Sequence, residues 1–211
     1  VRTAALGSGL SRGDVVDSTA LLVLPGVIDP QCHIEQKSGM GQWNADTFES
    51  ATRSAALGGT TTVISFAAQH RGQRLADVVA DYSARARRGA AVDHAFHIIV
   101  SDPGAPQFDD DFADLVAAGH RSVKIFTTYN IALGDADILR VMTLARRHGA
   151  LVCVHAENDA LIRHATAMLL AAGKTRPEHH APSHPREAEI EAVQRPGRLA
   201  AYLDQPVLPV P

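Results

Sequence analysis

The sequence has 211 residues, of which 45% are hydrophobic and 20% charged, a composition typical of a globular domain or a large part of one. Its formal net charge of -3 provides no basic field, so neither a nucleic acid nor an anionic membrane is expected as a partner. No apolar run approaches the roughly 20 residues of a membrane-spanning helix, and the first residues lack the pattern of a secretory signal. Cys32 and Cys153 lie in apolar runs typical of reduced core thiols, so a cytoplasmic protein is predicted.

Short runs rich in β-branched residues alternate with longer segments of helical spacing, which predicts parallel βα units in series. A capping box formed by Asp46 and Glu49 predicts a helix that ends at Leu57. Apolar stripes predict further helices that begin near Leu75, Ile138 and Leu161. The six candidate strands are Leu21 to Ile28, Thr60 to Phe66, Ala95 to Val100, Ser122 to Phe126, Leu151 to His155, and Pro206 to Val210.

The last predicted helix, Arg186 to Asp204, contains the pair Pro196-Gly197. A proline inside a helix costs about 3 kcal/mol, so an interruption is expected there. The series of βα units is compatible with two architectures, an open doubly wound sheet and a (β/α)₈ barrel. In both architectures the chemistry lies at the carboxyl ends of the strands.

Polar side chains stand at the ends of three predicted strands. The first strand runs into Gln31 and His33, the fourth carries Lys124, and the fifth ends in His155. Residues two apart in a strand face the same side, so Gln31 and His33 are expected to point together into a barrel mouth. Each histidine alone is also compatible with a hydrogen-bonded core residue, but their placement on equivalent strand ends favours a metal site.

Lys124 admits two interpretations, because an ammonium group in a barrel mouth is costly to desolvate without a partner. The first is an ion pair with a nearby carboxylate. The second is an amine of lowered pKa that takes up CO₂ and becomes a carbamate, an oxygen ligand that can bridge two divalent cations. Two such cations would activate water and polarise a carbonyl, which is the chemistry of amide or ester hydrolysis.

Five segments resemble the motifs of the cyclic amidohydrolases, the hydantoinase and dihydropyrimidinase group. The segment LPGVIDPQCHIE is similar to their first-strand motif, PGxIDxHxH, and SVKIFTTYN is similar to the strand of their carbamylated lysine. FESATRSAALGGTTTVISF and LVCVHAEN resemble the second strand and the next histidine strand, and GKTRPEHHAPSHPREAEIEA resembles the loop and helix that follow. The resemblance spans roughly Gly13 to Ala192 in the same order.

The resemblance implies a role for each matching residue. His33 is expected as a metal ligand, His155 as a ligand of the second metal, Lys124 as the bridging carbamate, and Tyr129 as the group that binds the substrate carbonyl and stabilises the developing oxyanion. The implied reaction opens a hydantoin or dihydropyrimidine ring to an N-carbamoyl amino acid. Zinc is the expected metal, two ions per site, with manganese or another divalent ion as alternatives, and a homo-oligomer is expected.

The sequence also departs from the motifs of this family. Gln31 occupies the place of the first motif histidine, and its neutral amide is a poor zinc ligand, so one metal is expected to bind weakly. The expected organisation is a remnant of a small N-terminal β-domain in residues 1–20 and an incomplete barrel of five to six units in residues 21–211, truncated or frame-shifted near Pro196. The alternative function is an inactive relative or fragment that acts, if at all, as an oligomer partner.

Overall fold

The computed structural model of the chain describes residues 17–38 and 41–210. Its centre is a six-stranded sheet in which every neighbouring pair is parallel and the strands follow one another in chain order. The strands are β1 (Val27–Cys32), β2 (Thr60–Ala68), β3 (Asp93–Ile99), β4 (Ser122–Phe126), β5 (Leu151–His155) and β6 (Val207–Pro209).

Helices connect the strands, and helices that are neighbours around the sheet pack against each other. This unreversed strand order is that of a (β/α)₈ barrel, whereas a doubly wound sheet reverses its order at a switch point. The predicted α/β fold, an incomplete barrel with six of eight strands, is confirmed. The helices are α1 (Phe48–Leu57), α2 (Leu75–Gly89), α3 (Phe108–Ala117), α4 (Asp135–His148), α5 (Asp159–Ala171), α6 (His180–Ser183) and α7 (Arg186–Leu203).

The core lies between the sheet and the helices, as the stripes of α2 and α4 predicted, whereas the third predicted stripe, on α5, buries none of its residues. On α2 the buried residues recur at helical spacing, and Arg87 and Arg88 occupy its last turn, where cations favour the helix dipole. The buried stripe of α4 repeats this arrangement. The stripes of these two helices consist of Leu75, Val78, Val79, Tyr82 and Ala86, and of Ile138, Val141, Met142, Leu144 and Ala145.

The first strand differs from its prediction, since β1 begins at Val27 and residues 21–24 lie exposed ahead of it. Pro25, which has no N–H to donate to a strand ladder, comes just before β1, and Gly26 lies so close to β2 that an added Cβ would stand 2.1 Å from Thr61 Oγ1. Extended pairing therefore starts only after the Pro25-Gly26 pair. Of the predicted N-terminal remnant, residues 1–16 lie outside the described residues.

Two helices also differ from prediction, α1 at its start and α7 in its interior. The N-cap of α1 is Thr47, whose hydroxyl accepts from the Ser50 N–H in a capping box, while the Asp46 carboxylate accepts from the Ser50 hydroxyl. The predicted interruption at Pro196 is wrong, because α7 continues through this buried proline. Burial of the ring against the neighbouring elements offsets the one hydrogen bond that proline removes.

The two edges of the sheet are open among the described residues. β1 pairs only with β2, and β6 only with β5. Val27 and Ile28 are each 58% exposed and Leu208 is 47% exposed, as expected for strands whose outer neighbour is missing from the sheet. None of the helices in the described ranges combines the length and apolar character needed to cross a bilayer.

Candidate active site

The predicted site residues come from three strands and meet on one side of the sheet. Lys124 lies in β4, two residues before its end, and is paired in register with Cys153 of β5. His155 ends β5, opposite Phe126 at the end of β4. His33 follows β1 by one residue. The parallel register therefore brings the ends of β4 and β5 to one level.

Lys124 is almost wholly buried, with 1% of its surface exposed, and its ammonium group faces two aromatic rings. Its Nζ lies 4.5 Å from the ring centroid of Phe66 and 5.0 Å from that of Phe126. None of the ion pairs among the described residues includes Lys124, so the carboxylate partner considered above is not found there. Burial lowers the pKa of Lys124, against a smaller opposing influence of Cys153.

His33 packs beside this lysine on the same aromatic residue. Its ring stacks on Phe66 at 4.5 Å between centroids, and its Nδ1 lies 2.7 Å from Gln36 Oε1. If Nδ1 carries the proton and donates to Gln36, Nε2 is left as the metal-binding nitrogen. Burial and the charge of Lys124 lower the pKa of His33, and the hydrogen bond to Gln36 opposes them.

His155 is held on the other aromatic residue. Its ring stacks on Phe126 at 5.3 Å, and its Nε2 donates to Glu157 Oε2 at 2.9 Å. Glu157 Oε1 accepts from His184 Nδ1, also at 2.9 Å. Burial acts to raise the pKa of Glu157, but the hydrogen bonds and charges of His184 and His155 outweigh it and lower that pKa. The ionised carboxylate thus fixes the proton of His155 on Nε2 and leaves Nδ1 as the acceptor.

Tyr129 stands at the mouth of the site in the turn after β4. Its ring centroid lies 5.3 Å from that of His155, and its backbone has a φ of +67°, in the left-handed region that bulky residues rarely occupy. Burial and the charge of Glu157 raise the pKa of Tyr129, so its phenol stays protonated at neutral pH and can donate a hydrogen bond. A cavity of about 460 Å³ lies here, lined by Tyr129, His155, Glu157, His184 and Glu189 among others.

Gln31 does not join this group. It is exposed, and its backbone N–H donates a hydrogen bond to Asp29 Oδ1 at 3.0 Å. The pairing of β1 with β2 shifts register between Asp29 and Cys32, so the simple alternation that predicted Gln31 and His33 side by side does not describe this stretch.

Sequence reasoning missed one residue of the site, His184. His184 lies with His179 and His180 in the connection between α5 and α7, a setting typical of solvated or structural histidines, but it contacts Glu157 and lines the cavity. The sequence signal was the two-residue spacing of His155 and Glu157, which places both side chains on one face of an extended chain. Such a carboxylate beside His155 is a candidate partner for a second cationic side chain.

Comparison with known proteins agrees with the motifs. The family model described as "Amidohydrolase family" matches residues 22–194. The chain belongs to the amidohydrolase family. Among the relatives of this amidohydrolase, a D-hydantoinase of Rhizobium radiobacter is 38% identical over 197 residues, 92% of this chain and 43% of that protein. A D-hydantoinase of Ralstonia pickettii is 38% identical over 96% of this chain and 44% of its own length.

Solved structures show the same relation. A D-hydantoinase structure superposes on this chain with a TM-score of 0.83 at 37% sequence identity. The superposition covers 88% of this chain and 40% of the D-hydantoinase chain. The dihydropyrimidinase of Brevibacillus agri NCHU1002 also gives 0.83, at 35% identity, over 88% of this chain and 41% of its own. The amidohydrolase chain thus spans less than half the length of the relatives that it matches, and the predicted family is confirmed.

The side chains of this region bear on the divalent metal that the family implies. In residues 17–38 and 41–210, no three His, Cys, Asp or Glu side chains come together in a group that could hold a metal ion. Two imidazoles with an unengaged nitrogen, His33 and His155, flank the aromatic pair around Lys124. Each imidazole would therefore hold a cation only together with an anionic ligand supplied by Lys124.

Proposed function

We propose that the chain forms the metal-binding part of a hydrolase that opens cyclic amide rings of the hydantoin or dihydropyrimidine type, giving N-carbamoyl amino acids. The observation that carries the proposal is the buried amine of Lys124, which lacks a carboxylate partner among the described residues and faces two aromatic rings, each stacked with a histidine. The names of the relatives, D-hydantoinase and dihydropyrimidinase, give the substrate class.

Lys124 has the chemistry needed to become an oxygen ligand. Because burial lowers its pKa, a larger share of the side chain is the neutral amine that can add to CO₂. The addition forms an N–C bond, releases one proton and leaves an anionic carbamate. This anion and the Nε2 of His33 would hold one divalent cation, and the anion and the Nδ1 of His155 would hold a second, for which zinc is proposed.

A divalent cation bound there would activate water and polarise the substrate carbonyl. The remaining steps belong to side chains of the chain itself. The protonated phenol of Tyr129 donates a hydrogen bond to the oxygen on which negative charge develops. The cavity of about 460 Å³ beside His155 provides space for a small ring.

Two further parts of the proposal concern the cellular compartment and the oligomeric state. Cys32 and Cys153 are free thiols, which supports a reducing compartment such as the cytoplasm. A homo-oligomer is supported by α5, which buries none of its residues although it carries Leu161, Met168 and Leu170.

The experiment is to purify the chain, measure its zinc and manganese content, and assay ring opening of hydantoin and dihydrouracil. The proposal expects bound metal and formation of the N-carbamoyl product, with both lost after chelation. A well-folded preparation that binds no added metal and opens neither ring would contradict it.

Gln31 favours a second candidate, a non-catalytic relative that keeps the fold and acts as an oligomer partner. An exposed amide at a ligand position gives one metal a weak hold. This candidate predicts an assembled but inactive protein, so the size of the complex in solution together with the ring-opening assay separates the two.

A further inference from the structure

Glu157 joins two histidines that are far apart in the chain. Its two carboxylate oxygens accept from His155 Nε2 and from His184 Nδ1, each at 2.9 Å. The three side chains are mostly shielded from solvent, with 14% of His155, 19% of Glu157 and 25% of His184 exposed. A carboxylate accepts hydrogen bonds and does not donate them, so both imidazoles must present a protonated nitrogen to Glu157.

The backbone of Glu157 is hydrogen-bonded to Thr127, the residue that follows β4. The N–H of Glu157 donates to Thr127 Oγ1 at 3.0 Å, and the Thr127 hydroxyl donates to the Glu157 carbonyl at 2.8 Å. The next residue, Asn158, donates from its backbone to the Ala188 carbonyl of α7 at 2.9 Å. Freedom is therefore left mainly in the Glu157 side chain, whose direction depends on its two imidazole partners.

His184 is itself held by the short helix before it. Its N–H donates to the Ala181 carbonyl at 3.1 Å, and the buried Ser183 hydroxyl donates to the His180 carbonyl at 2.6 Å. Pro185 then caps α7. The imidazole of His184 is thus presented from a rigid connection between α5 and α7.

We propose that His184 is a positioning residue, which holds the Glu157 carboxylate against His155 and so keeps the proton of His155 on Nε2 and its Nδ1 lone pair directed to the metal site. This inference rests on the proposed function for its purpose, but its geometry can be tested without metal or substrate. The physical basis is the support that a carboxylate partner gives to a metal-binding imidazole.

The first experiment measures the tautomer of His155 by long-range ¹H–¹⁵N NMR in the metal-free protein. The Nε2–H form is expected in the wild type, and a mixture of tautomers in His184→Ala and in the bulkier His184→Gln. His184→Asn should restore the wild-type form, because its amide nitrogen lies near the position of the histidine Nδ1. His180→Ala is the matched control, since His180 lines the same cavity and its ring centroid lies 4.8 Å from that of His184.

The second experiment measures zinc affinity for the same variants by competition with a chelating dye. We expect the zinc dissociation constant to rise about 10- to 100-fold in Glu157→Ala and about tenfold in His184→Ala, with recovery in His184→Asn. Folded His184→Ala or His184→Gln protein with the tautomer of His155 unchanged would overturn the proposal. If the wild type binds no zinc, the proposed function fails, and the tautomer comparison alone decides the role of His184.

Discussion

The two histidines of the site stand in contrasting surroundings. His155 ends a strand that is paired on both sides, and a charged carboxylate backed by a second histidine holds its ring. His33 follows an edge strand, and the neutral amide of Gln36 holds its ring. A carboxylate can only accept, whereas an amide presents either an oxygen or an NH₂ group, so the tautomer is enforced at His155 and only favoured at His33.

The β5 side of the site is therefore more preorganised than the β1 side. Hydrogen bonds to a charged group are roughly twice as strong as neutral ones, so the β5 side of the site should keep its geometry when the β1 side does not. Gln31 deepens the difference, because it removes a strong ligand from the side that is already less supported. A cation should therefore bind first and most tightly on the side of His155.

The largest effect is expected for Lys124, which both sides share. Lys124→Ala removes the proposed anionic ligand, and loss of several kcal/mol of transition-state stabilisation corresponds to a fall in kcat/KM of about a thousandfold. Steady-state ring opening of dihydrouracil measures it. Lys174→Ala, at an exposed lysine, is the control and should keep full activity. Equal activity in the two variants would show that Lys124 has no part in the reaction.

Tyr129→Phe tests the side of His155 directly. Removing one donor to a developing oxyanion should lower kcat by about a hundredfold while the free energy of unfolding stays unchanged, since the ring and its contacts remain. Tyr202→Phe, at a tyrosine that is 82% exposed, provides the matched control. A loss confined to KM would assign Tyr129 to ground-state binding instead.

Gln31→His tests the weaker side. An imidazole at this position should raise the metal content toward about two ions per chain and increase kcat, because two cations share the activation of water and carbonyl. Metal analysis after dialysis, together with the ring-opening assay, measures both. Gln194→His, at an exposed glutamine of α7, controls for adventitious binding to an added histidine. Activity that stays at background despite added metal would favour the non-catalytic relative.

The smallest effect is expected for His97 of β3, whose side chain supports β1. His97 Nε2 donates to the Pro30 carbonyl of β1 at 2.8 Å, and its Nδ1 lies 2.5 Å from Ser122 Oγ of β4. His97→Ala leaves these groups unpaired and should lower the free energy of unfolding by about 1 to 3 kcal/mol. Chemical denaturation measures it, with the exposed His164→Ala as control.

The same histidine gives a pH dependence with a defined sign. Burial lowers the pKa of His97 from 6.5, helped by the charge of Lys124 and opposed by the Pro30 carbonyl. The unfolded chain therefore binds the proton more readily, and stability present above pH 6.5 is lost as the pH falls through the folded-state pKa. His97→Ala should flatten this part of the stability profile, and a profile as steep as that of the wild type would contradict the role given to His97.

The fold could be predicted from the sequence because its signals are local and repeated. The periodic stripes of α2 and α4 and the β-branched runs of β4 and β5 specify their own elements, and β4 and β5 were predicted with the bounds observed. β1 begins later than predicted because residues 21–24 are apolar but lie exposed ahead of the sheet, and apolar character alone does not show what a segment packs on. The break expected at Pro196 is absent because burial in α7 overrides propensity.

The candidate site was predictable only in part, for a related reason. Lys124, His33 and His155 stand at strand ends, which sequence periodicity locates. His184 comes from a turn 27 residues after Glu157, and the packing of α7 against α5 and β6 brings it to the carboxylate. Contacts made through loops depend on tertiary structure, and one sequence holds no periodic signal for them.

Detection of a carbamate on Lys124 tests the central claim most directly. Protein equilibrated with zinc and ¹³C-labelled bicarbonate should show one slowly exchanging carbamate carbon in its ¹³C NMR spectrum, present in Lys174→Ala and absent in Lys124→Ala. A folded, zinc-loaded wild-type protein without that signal, or with the signal retained in Lys124→Ala, would contradict the assignment of Lys124 as the anionic ligand.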